Sequence, residues 1–187
     1  MHAARDLFVE HGYAAVSADA IVAAAGVTRG ALYHHFKDKR DLFRAVFVDL
    51  ERRFSEELEG VLDTTSDPVS AMINGLATFL DMCERPEVLR LGLTDAPAVL
   101  GWEEWRSIEE RHGLGLLERV LERAAADGLL VPVPIGVLAH LVLSACIEAA
   151  LFVAHSNDRA AARAGAEQGL TALLSGLLAT PANDRKG

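Results

Sequence analysis

Apolar and polar residues recur with the helical period along almost the whole chain, and no segment sustains the alternation of a strand. The first stripe runs from about His2 to His11 and stops at Gly12, a residue type that commonly ends helices. Ser17 stands where it can cap a second helix, in which Ile21, Val22 and Ala25 share a face. Gly26 closes that helix, Val27 is expected to pack inward, and Thr28 can cap a third helix reaching Phe36. Beyond Asp38, residues Leu42, Phe43, Val46, Phe47 and Leu50 repeat at helical spacing and predict a long fourth helix to about Leu62.

The same signals continue to the end. Asp67 and Pro68 suit the cap and first position of a helix that reaches about Cys83. A short helical stretch follows Pro86, and a long helix from Trp102 is closed by Gly128. Pro134 opens a strongly apolar helix, and Ser156–Asp158 separates it from a last helix of about twenty residues. The predicted fold class is therefore all-α.

Composition narrows the picture. The chain has 187 residues, 51% of them hydrophobic, enough for one or two domains with a true core. Its net charge is -9, yet the charge is unevenly spread. Residues 1–48 carry +1 and the remainder -10, so the acidity belongs to the back of the molecule. The two cysteines, Cys83 and Cys146, lie far apart and fit a reducing cytoplasm better than a disulfide framework. The N-terminus reads as a helix, not as a secretory signal. Residues 135–155 could mimic a membrane span, but His140, Ser144, Glu148 and His155 interrupt them, and a buried or interface helix is the expectation.

Two short helices joined by Ala25-Gly26-Val27 match a helix-turn-helix, whose second helix enters the major groove of DNA. The turn needs glycine for a positive φ. Arg29 is the strongest candidate for reading a base, because its guanidinium can bond guanine at two points. Gly30 and Ala31 add no bulk that would hold the helix away from the groove, and the Ala31 methyl suits a thymine methyl. Ser17, Thr28, Tyr33, His34 and Lys39 carry hydroxyls or nitrogens suited to phosphate. Lys39 would sit beside the free amides of the fourth helix, which favour an anion. Leu32 and Phe36 are expected to face a small core with Leu7, Phe8, Ile21 and Phe43. His34 and His35 diverge around the helix and no third ligand has suitable spacing, so no metal is expected.

Residues 3–47, "AARDLFVEHGYAAVSADAIVAAAGVTRGALYHHFKDKRDLFRAVF", resemble the DNA-binding domain of the tetracycline-repressor (TetR) family of transcriptional regulators. The matching features are "LF..HGY", the Ser-capped helix, "AAGV", "G.LYHHF" and "K.K..L". The resemblance implies a helix-turn-helix domain at 1–47 followed by a helical ligand-binding and dimerisation domain at 48–187. It also implies a homodimer that binds a palindromic operator in double-stranded DNA and releases it when a small molecule enters the second domain. Family members carry further residues, often basic, ahead of this stretch. Here Met1 and His2 stand ahead of it.

The back half offers candidates for the remaining roles. Trp105, Ile108, His112 and Leu116 share a stripe that Met72, Leu76 and Phe79 can face, a wall suited to an aromatic or otherwise lipophilic effector. Plain core packing is the alternative for each of these residues. Gly113 and Gly115 interrupt the same helix, through bending near a cavity or through close packing. In the last helix Gly165, Gly169, Ala172 and Gly176 form one narrow stripe beside Leu170, Leu173 and Leu177. Glycine inside a helix costs about 1 kcal/mol relative to alanine, which close helix–helix contact offsets. Together with the apolar helix before it, this stripe predicts a symmetric dimer interface, with packing inside one chain as the alternative.

No phosphate-binding glycine loop, nucleophile elbow or metal-spaced His/Cys cluster is present, so neither an enzyme nor a cofactor is expected. The residues point to a ligand-responsive repressor. A transcriptional activator, or a helical protein-interaction module that retains a helix-turn-helix, stands as the alternative.

Overall fold

The computed structural model describes residues 1–179. Among these the regular elements are helices: α1 (His2–His11), α2 (Ala18–Ala25), α3 (Arg29–His35), α4 (Lys39–Thr64), α5 (Pro68–Cys83), a π-helical segment (Val88–Asp95), α6 (Ala96–Leu100), α7 (Trp102–Ala126), α8 (Ile135–Ala154) and α9 (Arg159–Ser175). The one extended pairing is an isolated antiparallel bridge between Leu130 and Leu178.

Local chemistry sets the helix ends. Asp67 accepts the Ser70 N–H at 2.7 Å, with Pro68 as the first residue of α5. Asp158 accepts the Ala161 N–H at 3.0 Å and starts α9. At α4, Asp38 accepts the Asp41 N–H at 2.7 Å while Asp41 reaches back to the Lys37 N–H at 3.1 Å. This mutual arrangement closes the helix N-terminus with two carboxylates, which the macrodipole favours. The stretch after Pro86 is wound more widely than an α-helix: the Ala96 N–H bonds back five residues to the Leu91 carbonyl. Pro97, with no N–H, interrupts the ladder just beyond.

Packing divides the chain into two compact units that do not follow chain order. The first comprises residues 1–58 and 79–112, and so contains all of the predicted helix-turn-helix. Its N-terminal core is aromatic. Phe8 and Phe43 are fully buried, 5.3 Å apart and edge to face, and Tyr13 meets Phe43 in the same way at 5.1 Å. Ile21, Leu42, Val46 and Phe47 close around them, and Leu91 and Ala96 are buried in the same unit. The loop after α1 is tied to the π-helical segment: the Tyr13 N–H donates to Asp95 at 2.9 Å, and Arg90 donates to the His11 carbonyl at 3.3 Å. Arg40 donates to the carbonyls of Val99 and Leu100 at the end of α6, where helix carbonyls lack partners. Arg40 and Arg44 both pair with Glu104 at 2.6 Å.

The second unit comprises, among the described residues, 59–78 and 113–179. Leu121, Ala124, Leu130, Leu138 and Ala139 are its buried centre, with Met72, Leu114 and Leu117 packed against it. A Cβ added to Gly113 would lie 3.0 Å from the Leu143 side chain, so close packing accounts for that glycine. Arg123 donates to the Ser66 carbonyl at 3.0 Å and holds the loop before α5. Helix α8 is long and apolar enough, by length and composition, to cross a membrane. In this unit it buries Leu138, Leu143, Ile147, Ala150 and Val153, while Val137, Leu141 and Phe152 on its other side are exposed.

Candidate nucleic-acid interface

Helix α2 begins where the Ser17 hydroxyl accepts the Ala20 N–H at 3.1 Å. It ends at Gly26, whose φ of 65° and ψ of 29° put it in the left-handed region, as the turn requires. The Gly26 and Val27 N–H groups bond back to Ala23 and Val22 at 3.3 and 3.1 Å. Val27 does not pack inward: after the reversal at Gly26 its side chain points to solvent. Thr28 then caps α3 by accepting the Ala31 N–H at 3.2 Å.

Helix α3 has no fully buried residue. Leu32 and Phe36, on its inner side, are half-buried, while Arg29, Gly30, Ala31, Tyr33, His34 and His35 are exposed. A Cβ placed on Gly30 would meet only the Thr28 hydroxyl, at 3.9 Å, so its outer face is open. The Arg29 guanidinium donates to Asp19 of α2 at 3.1 Å and lies 5.7 Å from the centre of the Tyr33 ring. The adjacent imidazoles of His34 and His35 stand edge to face, 5.2 Å apart.

Lys39 has a different setting from the rest. Its Nζ donates to the Tyr13 and Val16 carbonyls at 2.9 and 2.8 Å and lies 4.1 Å from the centre of the Tyr13 ring. The ammonium braces the loop between α1 and α2; Asp38 accepts the Asp41 amide in the first turn of α4, and Asp41 accepts the Lys37 amide just ahead of it. Two of the protein's own carboxylates thus stand at the helix end where the sequence leads one to expect an anion.

The proposed effector-wall residues divide between the units. Phe79, Trp105, Ile108 and His112 belong to the first, and Met72, Leu76 and Leu116 to the second. Trp105, Ile108, Leu76 and Leu116 are buried. Burial first, then Arg111 and Arg52, pushes the His112 imidazole below its ordinary range, toward the neutral form. In α9 the small residues Gly165, Gly169, Ala172 and Gly176 are exposed, and a Cβ added to Gly165 or Gly169 would meet nothing within 4 Å. At Gly165 and Gly169 that smallness is thus not used by the packing of this chain. Leu173 is exposed beside them and Leu177 is half-buried, whereas Leu170 is covered by its own chain.

Two glutamates went unnoticed in the sequence. Glu51 of α4 is 7% exposed, and Glu109 of α7 is half-buried. Burial raises both: Glu51 lies well above the ordinary value, further raised by Glu109, and Glu109 is raised to about 7 against the pull of Arg106 and the Trp105 indole. The signal was present, since Glu51 continues the apolar repeat of Phe43 and Phe47, and Glu109 lies one turn after Trp105. Among the described residues no group of three or more His, Cys, Asp or Glu is placed to hold a metal ion.

Comparison with known proteins agrees with this geometry. Residues 1–46 match the family model for bacterial regulatory proteins of the tetR family, and residues 69–177 match a tetracyclin repressor-like C-terminal domain. The Transposon Tn10 TetC protein of Escherichia coli is 29% identical over 142 residues, which cover 76% of this chain and 72% of that protein. The HTH-type transcriptional repressor AcnR of Corynebacterium efficiens is 30% identical over 152 residues, or 79% and 76% of the two chains. The crystal structure of a TetR-family transcriptional regulator from Pectobacterium atrosepticum shares 35% identity and a TM-score of 0.87, covering 96% of this chain and 92% of that one.

Proposed function

The chain belongs to the TetR family of DNA-binding transcriptional regulators, typically repressors, and we propose that it binds a palindromic operator as a homodimer and leaves it when a small lipophilic or aromatic effector binds. The observation that carries this reading is the exposed outer face of α3, capped by Thr28 and unobstructed at Gly30. There Arg29 is the base-reading residue, and Ala31 offers a methyl to thymine. Tyr33, His34 and the Ser17 and Thr28 hydroxyls meet phosphates. Lys39 acts on DNA indirectly, by holding the α1–α2 loop.

The exposed sides of α8 and α9 form the dimer contact, through Val137, Leu141 and Phe152 on one helix and the small stripe with Leu173 on the other. Two such surfaces related by a twofold axis give a four-helix interface and set the spacing of the two reading helices. Effector binding shifts α4, the helix that follows α3, and spoils simultaneous contact with two half-sites. The acidic back half keeps the effector domain off the DNA, and the protein works in the cytoplasm.

The test is fluorescence-anisotropy binding to DNA from beside its own gene, at two salt concentrations, for the wild type and Arg29→Ala. Salt-sensitive binding to one palindromic segment, weakened by the substitution, is the expected result. Sequence-blind binding indifferent to Arg29 would overturn the reading.

A further inference from the structure

Six lysines and arginines stand in residues 1–48, and the structure binds five of them to groups of the protein. Arg5 pairs with Asp6 at 2.9 Å and Arg29 with Asp19 at 3.1 Å. Arg40 and Arg44 share Glu104, and the Lys39 ammonium is held by the Tyr13 and Val16 carbonyls. The sixth is Lys37. It is exposed, and among the described residues its ammonium has no ion pair, hydrogen bond or aromatic ring.

The backbone explains why two lysines two residues apart have opposite settings. Phe36 leaves the helical path, with φ of -130° and ψ of 132°, so Lys37 is carried off the end of α3 into the turn. The Lys37 N–H donates to Asp41 at 3.1 Å, which fixes its backbone against the start of α4. Lys39, in the first turn of α4, is half-buried and reaches back to the loop between α1 and α2.

DNA sets a requirement that the other residues of α3 leave unmet. A duplex is a dense line of phosphates, and binding gains strength when protein cations displace its condensed counterions. The hydroxyls of Ser17, Thr28 and Tyr33 can bond a phosphate but displace no counterion. Arg29 carries Asp19 with it, so that pair brings no net charge to the surface. Asp38 and Asp41 make the start of α4 a poor place for a phosphate by itself. A free ammonium on a four-carbon stem beside that helix end supplies the missing charge. Lysine suits this use, because a flexible point charge meets a phosphate without demanding one orientation or one base.

We propose that Lys37 is the charged phosphate contact of the reading head, meeting the DNA backbone at the turn between α3 and α4. This rests on reading α3 as the helix that meets DNA, and it moves the phosphate-binding lysine from position 39 to position 37.

The test measures the affinity of the full chain for operator and scrambled duplexes by anisotropy across a series of salt concentrations. Lys37→Met should weaken both duplexes by the same factor, roughly three- to tenfold for each reading head at about 0.1 M salt. It should also reduce the slope of log affinity against log salt by about one per head. Lys37→Arg, which keeps the charge, should restore the wild-type slope. Both variants should melt with the wild type, since the Lys37 ammonium holds no group of the protein and the N–H is retained. An unchanged slope in Lys37→Met, a loss confined to the operator, or a slope that Lys37→Arg fails to restore would overturn the proposal. A Lys37→Met protein that melts below the wild type would do the same, by giving the ammonium a partner within the chain. Preference for operator over scrambled duplex, and its dependence on Arg29, reports separately on the regulatory reading. Scrambled duplex alone still yields the salt slope, so either reading can fail without the other.

Discussion

The Arg29 guanidinium and the Asp19 carboxylate, ten residues apart and on different helices of the turn, are bonded at 3.1 Å on the outer face of the reading head. Both side chains are more than half exposed, so the pair adds little to stability. In the proposed reading its consequence is for recognition, because Arg29 would exchange this carboxylate for a base edge.

Removing either partner therefore has opposite effects. Arg29→Ala should weaken operator binding by about 1–3 kcal/mol, roughly 5- to 150-fold, and relax discrimination at one base pair. Asp19→Asn should tighten binding to all DNA, since a negative charge near the phosphates is removed and Arg29 is released. Anisotropy titrations with operator and scrambled DNA distinguish the two, and an Asp19→Asn protein that binds less tightly would contradict the exchange.

Lys39 is predicted to matter for stability first. Lys39→Met removes two charge-assisted hydrogen bonds to the Tyr13 and Val16 carbonyls and should lower the unfolding free energy by about 2 kcal/mol. Urea denaturation measures this. Unchanged stability, together with a salt slope of DNA binding reduced by about one, would make Lys39 a phosphate contact instead.

The two raised glutamates make stability depend on pH. Glu109 is raised from an ordinary 4.5 to about 7, so between those values the folded state holds a proton that the unfolded state has lost. Stability is then full below about pH 4.5 and falls as pH rises toward 7, by at most ~1.4 kcal/mol per pH unit for one proton. Urea midpoints of the wild type should fall from pH 5 to pH 8. Glu109→Gln should flatten that dependence, matching the wild type at pH 5 and exceeding it at pH 8.

Self-association should reside on the uncovered sides of α8 and α9. The wild type is expected at twice its chain mass of 20.1 kDa in light scattering, and Leu141→Glu at that mass itself. Leu141 is 61% exposed, so the substitution leaves the fold of the chain intact, which circular dichroism checks. A Leu141→Glu protein that remains dimeric would place the interface elsewhere.

Much of this molecule was determined by its sequence alone. The caps at Ser17, Thr28, Asp67 and Asp158, the glycine turn at Gly26 and the apolar stripe of α4 are local devices, acting over three or four residues. Helix positions, the helix-turn-helix and the family resemblance were therefore readable directly, and the exposed residues of α3 lie where their spacing puts them. The tertiary structure decided what depends on residues distant in sequence. Val27 turns outward, Lys39 is spent on carbonyls more than twenty residues away, and Leu170 is covered while Gly165 and Gly169 are not. Glu51 feels the charge of Glu109 only because α4 and α7 lie side by side. Periodicity reports which residues share a face, but burial and charge depend on what that face meets, and long-range packing alone supplies that partner.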